Sequence, residues 1–294
     1  MGNFFQRRSG LRKITLFDVV VALVLTWVLL VCIVPFVYMF ALSFSGVREI
    51  INNQVSLWPR GFNTAAYRQI LGYPNFFLAY KNTLFYTSWG TLIALAMTVL
   101  FGYPLSKSFL RGTVFFMKLV VFSMFFSGGL IPTYLLISGL GITNTPLAIL
   151  LPFAISPFNL IILISFFKGV PKEIEEAALI DGLGYYGILS RIVLPLSTAA
   201  LATIGLYYAV FFWNDWFNAL IYLKSSQYPV MLFLRNIVNG TMTVGEGSGA
   251  ADRTSIGIAI KAAVIMVSTL PIIILYPLLQ RFFIAGLTVG SVKG

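Results

Sequence analysis

Six stretches of mostly apolar residues dominate this chain: about Val19–Phe44, Asn82–Ser106, Val114–Ile137, Pro146–Phe167, Leu194–Leu223 and Gly257–Phe283. Each reaches the roughly 20 residues that a helix needs to cross the hydrocarbon of a bilayer. The composition points the same way. Of the 294 residues 59% are hydrophobic and only 10% are charged, where a soluble domain carries about 25% charged residues. So much apolar surface cannot be buried in one water-soluble core, and lipid must be the solvent for much of it. The expected fold is an all-α integral membrane protein with six transmembrane helices in a single domain, residues 1–294.

The first run is too long for the apolar core of a signal peptide, about 7–15 residues, and reads as a retained span. A formal net charge of +11 would suggest nucleic acid for a soluble protein. Here the basic residues lie between apolar runs, so no nucleic-acid partner is expected and membrane orientation accounts for the charge. With the amino terminus inside, Arg7, Arg8, Arg12, Lys13, Lys107, Arg111, Lys118, Lys168, Lys172, Arg191, Arg281 and Lys293 face the cytoplasm, which is 12 of the 20 basic residues. Lys118, near the start of the third run, can snorkel to the interface. A multi-pass protein of the bacterial cytoplasmic (inner) membrane follows as an expectation, with both termini cytoplasmic.

Several chemistries are excluded at once. Histidine is absent, and Cys32, inside the first run, is the single cysteine. That removes Ser-His-Asp triads, Cys-His pairs, disulfides and the usual zinc sites, and no metal site is expected. A phosphate-binding loop needs Gly-Lys followed by Ser or Thr, and the chain has no Gly-Lys pair. Prolines interrupt several runs, for example Pro104, Pro132, Pro152, Pro157, Pro271 and Pro277. Such breaks fit bent helices around a pathway, and equally the ordinary tolerance of proline in membrane helices.

The most informative segment is 168–195, expected on the cytoplasmic side. Pro171 suits a first helical turn, and Glu173, Glu175 and Glu176 suit the positive end of the helix dipole. Ala177 and Ala178 make a smooth face for close docking. Gly182 and Gly184 permit the left-handed backbone that ends a helix. A short helix, a turn and a second short helix are expected, with Pro195 opening the next span.

Glu176-Ala177-Ala178, then Gly182, then Ile192, Leu194 and Pro195 resemble the EAA loop of ABC importer permeases without a mismatch. The resemblance implies a type I importer permease fold in which this loop is a coupling helix seated on an ATPase subunit. Glu175, Glu176, Ala177, Ala178, Asp181, Gly182, Ile192, Leu194 and Pro195 are its implied coupling residues. Asn82-Thr83-Leu84, the run Trp213 to Leu220, Tyr228-Pro229, Leu232, Leu234-Arg235 and the ending Gly286 to Gly294 resemble carbohydrate-importer permeases. The chain is most similar to the smaller, maltose-type subunit, and in texture to permeases for alginate, rhamnogalacturonan or aldouronate fragments.

The resemblance further implies a second homologous permease subunit, two ATPase subunits and an extracytoplasmic solute-binding protein. It implies no cofactor in this chain, with ATP and Mg bound by the partner subunits, and hence no enzyme activity of its own. The outer segment Lys224–Ile256 resembles a loop that reaches into the binding protein, although its glycines read more simply as flexible chain. The tail after Arg281 is implied to touch the ATPase.

Sugars are gripped by aromatic faces and fixed polar groups, so Tyr86, Trp89, Asn159, Trp213, Asn214, Asp215, Trp216 and Asn218 are the candidate pathway residues. Asp215 is the single acid well inside an apolar run, where a charge costs about 2.5 kcal/mol or more. The plainer reading is that Asn214 and Asp215 bond a neighbouring helix and the tryptophans form an interfacial belt. For an acidic sugar, Arg235 and Lys261 flank the outer end. An ion-coupled secondary transporter using Asp215 is the alternative from another class, and a membrane enzyme is a third.

Overall fold

The structure is a computed structural model that describes residues 15–239, 257–274 and 277. The basic amino-terminal cluster, the run Gly245 to Gly249, the end of the sixth apolar stretch and the tail Gly286 to Gly294 lie outside the described residues. The chain divides into two compact units, Met1–Tyr67 with Ser248–Met266, and Arg68–Gly247 with Val267–Gly294. Every regular element among the described residues is helical.

The first unit opens with α1 (Leu16–Ser43), started by a capping box: the Thr15 hydroxyl accepts from the Asp18 N–H while the Asp18 carboxylate accepts from the Thr15 N–H. At 1.5 Å per residue its 28 residues extend about 42 Å, more than the ~30 Å of bilayer hydrocarbon. Only Ala41, Leu42 and Ser43 at its end are buried, so the rest presents apolar side chains on every face. Such a surface belongs in lipid. After α2 (Val47–Ile51), the chain returns to the end of α1, where Phe44 stacks on Phe62 and Tyr67.

In the second unit, after α3 (Ala65–Leu71), the central element is α4 (Phe76–Ser106), 31 residues and about 46 Å long. Around it pack α8 (Pro157–Lys168) and α12 (Thr198–Asn214). Gly90 lets the Phe212 ring lie directly on the α4 backbone: an added Cβ would sit 2.7 Å from two ring carbons. One tyrosine joins all three elements. The Tyr208 hydroxyl lies 2.7 Å from Thr98 Oγ1 and accepts from the Ser156 N–H at 2.9 Å, at the cap of α8. This satisfies buried polar groups where lipid and core offer no water.

Three of the six apolar stretches are broken. Val114–Ile137 forms α5 (Thr113–Phe125) and α6 (Leu130–Gly139), bent by 116°. The bend lies at Ser127-Gly128-Gly129, with Gly129 at φ +88°, a conformation that favours glycine. Pro146–Phe167 forms α7 (Leu147–Leu150) and α8, separated around Pro152, with Pro157 in the first turn of α8. Leu194–Leu223 forms a bent entry, α12, and α13 (Phe217–Tyr222), with an 83° turn at Ser197 and a break at Asp215-Trp216. The sixth stretch begins with α15 (Gly257–Ile274), after α14 (Val230–Val238). Among the described residues three helices are long and apolar enough to cross a membrane, or five if each bent pair counts as one crossing.

Candidate coupling loop and pathway residues

The segment after α8 forms α9 (Lys172–Ile180), with Glu173 and Glu175 in its first turn. It stops where its sequence says it must. Gly182 takes φ +83°, its N–H bonds Leu179 O at 3.0 Å, and the Leu183 N–H bonds Ala178 O at 3.0 Å. This paired closure is a Schellman motif, and the Leu183 side chain packs back on the core cluster that contains Ala178. A second short helix, α10 (Tyr185–Ile188), then widens into a π-helical turn over Leu189–Val193 before α11 (Leu194–Leu196). Pro195 explains the widening: it has no N–H to bond residue 191, and its ring crowds that carbonyl in a regular α-helix. Ile192 and Leu194 pack on the core and hold this second helix to the bundle.

Of the nine residues of α9 only Ala178 is fully buried. Glu176 and Ala177 are exposed, as is the cap Asp181. Ile180 and Tyr186 are 87% and 84% exposed, which leaves large apolar side chains projecting around the Gly182 turn. Glu175 points the other way. Lys107, at the end of α4, donates to Glu175 Oε1 at 2.6 Å and reaches Oε2 as well. The same ammonium lies 4.4 Å from the centre of the Tyr103 ring. Among the described residues this is the single ion pair, and its side chains are 11% and 14% exposed. Thus α9 is a short projecting helix tied back by one part-buried charge pair and one buried alanine.

The pathway candidates do not form one cluster. Tyr86 and Trp213 are buried and bonded to backbone, Tyr86 Oη donating to Gln227 O at 3.0 Å and Trp213 Nε1 to Ser268 O at 3.2 Å. Asn159 is buried in the first turns of α8. Trp89 is half exposed on α4, and Asn214 bonds back to Val210 O of its own helix. Asp215 sits in the break between α12 and α13, where Oδ1 accepts from the Asn218 N–H at 3.1 Å and from Asn218 Nδ2 at 3.0 Å. It therefore starts α13 much as a capping residue does. Trp216 carries the Arg235 guanidinium 3.9 Å from its ring centre. Lys261 is exposed on α15.

No family model matches the sequence. Two curated proteins of Bacillus subtilis (strain 168) are each 41% identical to it: Protein LplC over 95% of both chains, and the polygalacturonan/rhamnogalacturonan transport system permease protein YtcP over 96% of this chain and 100% of its own. A chain from the crystal structure of a bacterial ABC transporter involved in the import of the acidic polysaccharide alginate is 32% identical, with a TM-score of 0.84 over 96% of this chain and 100% of that one. The chain belongs to the ABC sugar-transport permeases. It is an all-α, multi-pass membrane protein of the importer permease fold. The relatives give no support to an ion-coupled secondary transporter built on Asp215.

Two features of this ABC permease were not assigned a role by sequence reasoning. Lys107 figured there only as an inside charge. Asn82-Thr83 carried the family resemblance without a task, and the fold supplies one. Asn82 Nδ2 donates to Ser226 O and Tyr228 O, both at 3.2 Å, while Thr83 Oγ1 accepts from the Val230 N–H at 2.7 Å and donates to Ala79 O. With Tyr86 these residues line one face of α4 and hold the backbone of 226–230 at the start of α14. The Asn-Thr pair followed three residues later by Tyr was the available signal, since it reads as one helical face.

Proposed function

We propose that this chain is one permease subunit of an ATP-driven, binding-protein-dependent importer of oligosaccharides, with acidic sugar chains as the favoured cargo. It works beside a second homologous permease, two ATPase subunits and an extracytoplasmic solute-binding protein. ATP and Mg are held by the ATPases, and this chain hydrolyses nothing. It lies in the bacterial cytoplasmic membrane with both termini and the coupling loop, 168–195, on the cytoplasmic side, and its six apolar stretches cross the bilayer.

The observation that carries the reading is the projecting helix α9, closed by Gly182 and exposing Glu176, Ala177 and Ile180, with Tyr186 of α10 exposed just beyond the turn. A nine-residue helix is too short to stand alone in water, where about 12–15 residues are marginal. Such a helix with uncovered apolar side chains fits a cleft on a partner. When the two ATPases close on ATP, they carry α9 with them, and Glu175, Ala178, Ile192, Leu194 and Pro195 pass the displacement to the membrane helices. The pathway then opens outward to receive sugar from the binding protein, and reopens inward after hydrolysis. Tyr86, Trp89, Asn159, Trp213, Asn214, Asp215, Trp216 and Asn218 remain the proposed pathway set. Trp89 and Asn214, the two exposed members of the set, are the proposed direct contacts. The acidic cargo is supported by the uronate polymers in the names of the relatives.

The test is to tag the chain, purify it gently and identify its companions by mass spectrometry. Recovery of one further permease and a pair of ATPases is expected. A stable, transporting complex of this chain alone would overturn the proposal.

A further inference from the structure

We infer that the groove where α4, α5 and α8 meet is a binding site for the headgroup of an anionic phospholipid. The groove has a volume of about 800 Å³ and takes a lysine from each helix: Lys107, Lys118 and Lys168. Lys107 caps the end of α4, and Lys168 is the last residue of α8. Lys118 lies five residues after the start of α5, close enough for its long stem to reach the same mouth. Lysines from the ends or early turns of three helices thus line one groove.

Their charge is not used up within the chain. Lys107 is held by Glu175, while Lys118 and Lys168 have no ion pair among the described residues. Ser108 and Thr113 line the same mouth, the Thr113 hydroxyl already donating to Leu110 O at 3.3 Å. Away from it the wall turns apolar, through Met117, Val121 and Phe122, and the last two are 41% and 58% exposed. One occupant matches both halves: phosphate oxygens on the lysines and Ser108, and an acyl chain along α5. Basic pockets between membrane helices bind anionic headgroups by this combination of charge and hydrocarbon. Inorganic phosphate would leave the apolar wall bare. The inference rests on the membrane assignment and is independent of which sugar is carried.

The test uses the assembled transporter in nanodiscs of phosphatidylcholine doped with phosphatidylglycerol, with retained lipid counted by native mass spectrometry. The wild-type complex is expected to retain phosphatidylglycerol in preference to phosphatidylcholine. Retention should fall about fivefold for Lys118→Gln or Lys168→Gln and about 30-fold for both, as expected for charges near an anionic headgroup. The double change to Arg should keep it, which separates loss of charge from misfolding. Equal retention in the wild type and the double Gln variant would overturn the inference. So would displacement of the lipid by inorganic phosphate alone, or a crosslink from Lys118→Cys to an ATPase subunit where lipid should be.

Discussion

Replacing Lys107 by Met removes the ammonium that ties α9 to α4 and keeps most of the stem that packs on Tyr103. A fully exposed ion pair contributes about 0–1 kcal/mol. Stripping one partner from a fully buried pair costs about 3–5 kcal/mol, because the other charge is left alone. The Lys107–Glu175 pair, 11% and 14% exposed, lies between these limits. Glu175 lines an open groove of about 510 Å³ and can turn toward water, which lowers the penalty. With the lost contact to the Tyr103 face, worth about 0.5–1 kcal/mol, a total of about 2–3 kcal/mol is expected. Nine residues cannot hold a helix unaided, so the loss should appear as opening of α9 rather than global unfolding. At tenfold per 1.4 kcal/mol, amide exchange over 172–183 should speed up by about 30- to 140-fold, with α12 unchanged. Hydrogen-exchange mass spectrometry reads this directly. The charge swap, Lys107→Glu with Glu175→Lys, should restore much of the protection and of the uptake. If exchange over 172–183 is the same in Lys107→Met and wild type, the pair does not anchor the helix and the reasoning fails.

Other changes probe the rest of the fold. Gly182→Ala meets no neighbouring atom, so its cost is the left-handed backbone alone, about 1–2 kcal/mol; it should fray α9 and reduce uptake, and Gly182→Asn should do so less. Thr83→Val leaves the Val230 N–H without its acceptor and should cost about 1–3 kcal/mol in thermal stability, while Thr83→Ser should be close to wild type. Gly90→Ala drives a methyl into Phe212 and should cost about 1–3 kcal/mol; a melting temperature partly recovered by adding Phe212→Leu would locate the clash. Asp215→Asn keeps an oxygen that can accept from the Asn218 N–H, so ATP-driven uptake should survive it, whereas loss of all uptake with assembly intact would give the carboxylate charge a direct role.

The existence of apolar helices is legible because lipid imposes composition rather than periodicity. The same uniformity hides where a run bends. Val114–Ile137 reads as one span, yet Ser127-Gly128-Gly129 turns it by 116°. The break after Asn214 coincides with Asp215, whose task of accepting from Asn218 in the first turn of α13 cannot be told from a buried charge until that partner is seen at 3.0 Å. Segment 168–195 was far more legible, since Gly182, Pro195 and the paired alanines act on their own neighbours within a few residues. The Asn82-Thr83-Tyr86 clamp was not, because its partners lie 141 to 147 residues further along the chain. Local chemistry can be read from the chain, and long-range pairing needs the fold.

In the proposed cycle, ATP bound by partner subunits drives sugar through this permease. The direct test is uptake of a labelled acidic oligosaccharide by proteoliposomes holding the full complex and supplied with binding protein, with ATP inside and ion gradients collapsed by ionophores. Uptake should need ATP and binding protein, persist without gradients and be lost with Gly182→Pro. Uptake that stops with the gradients and continues without ATP would contradict it.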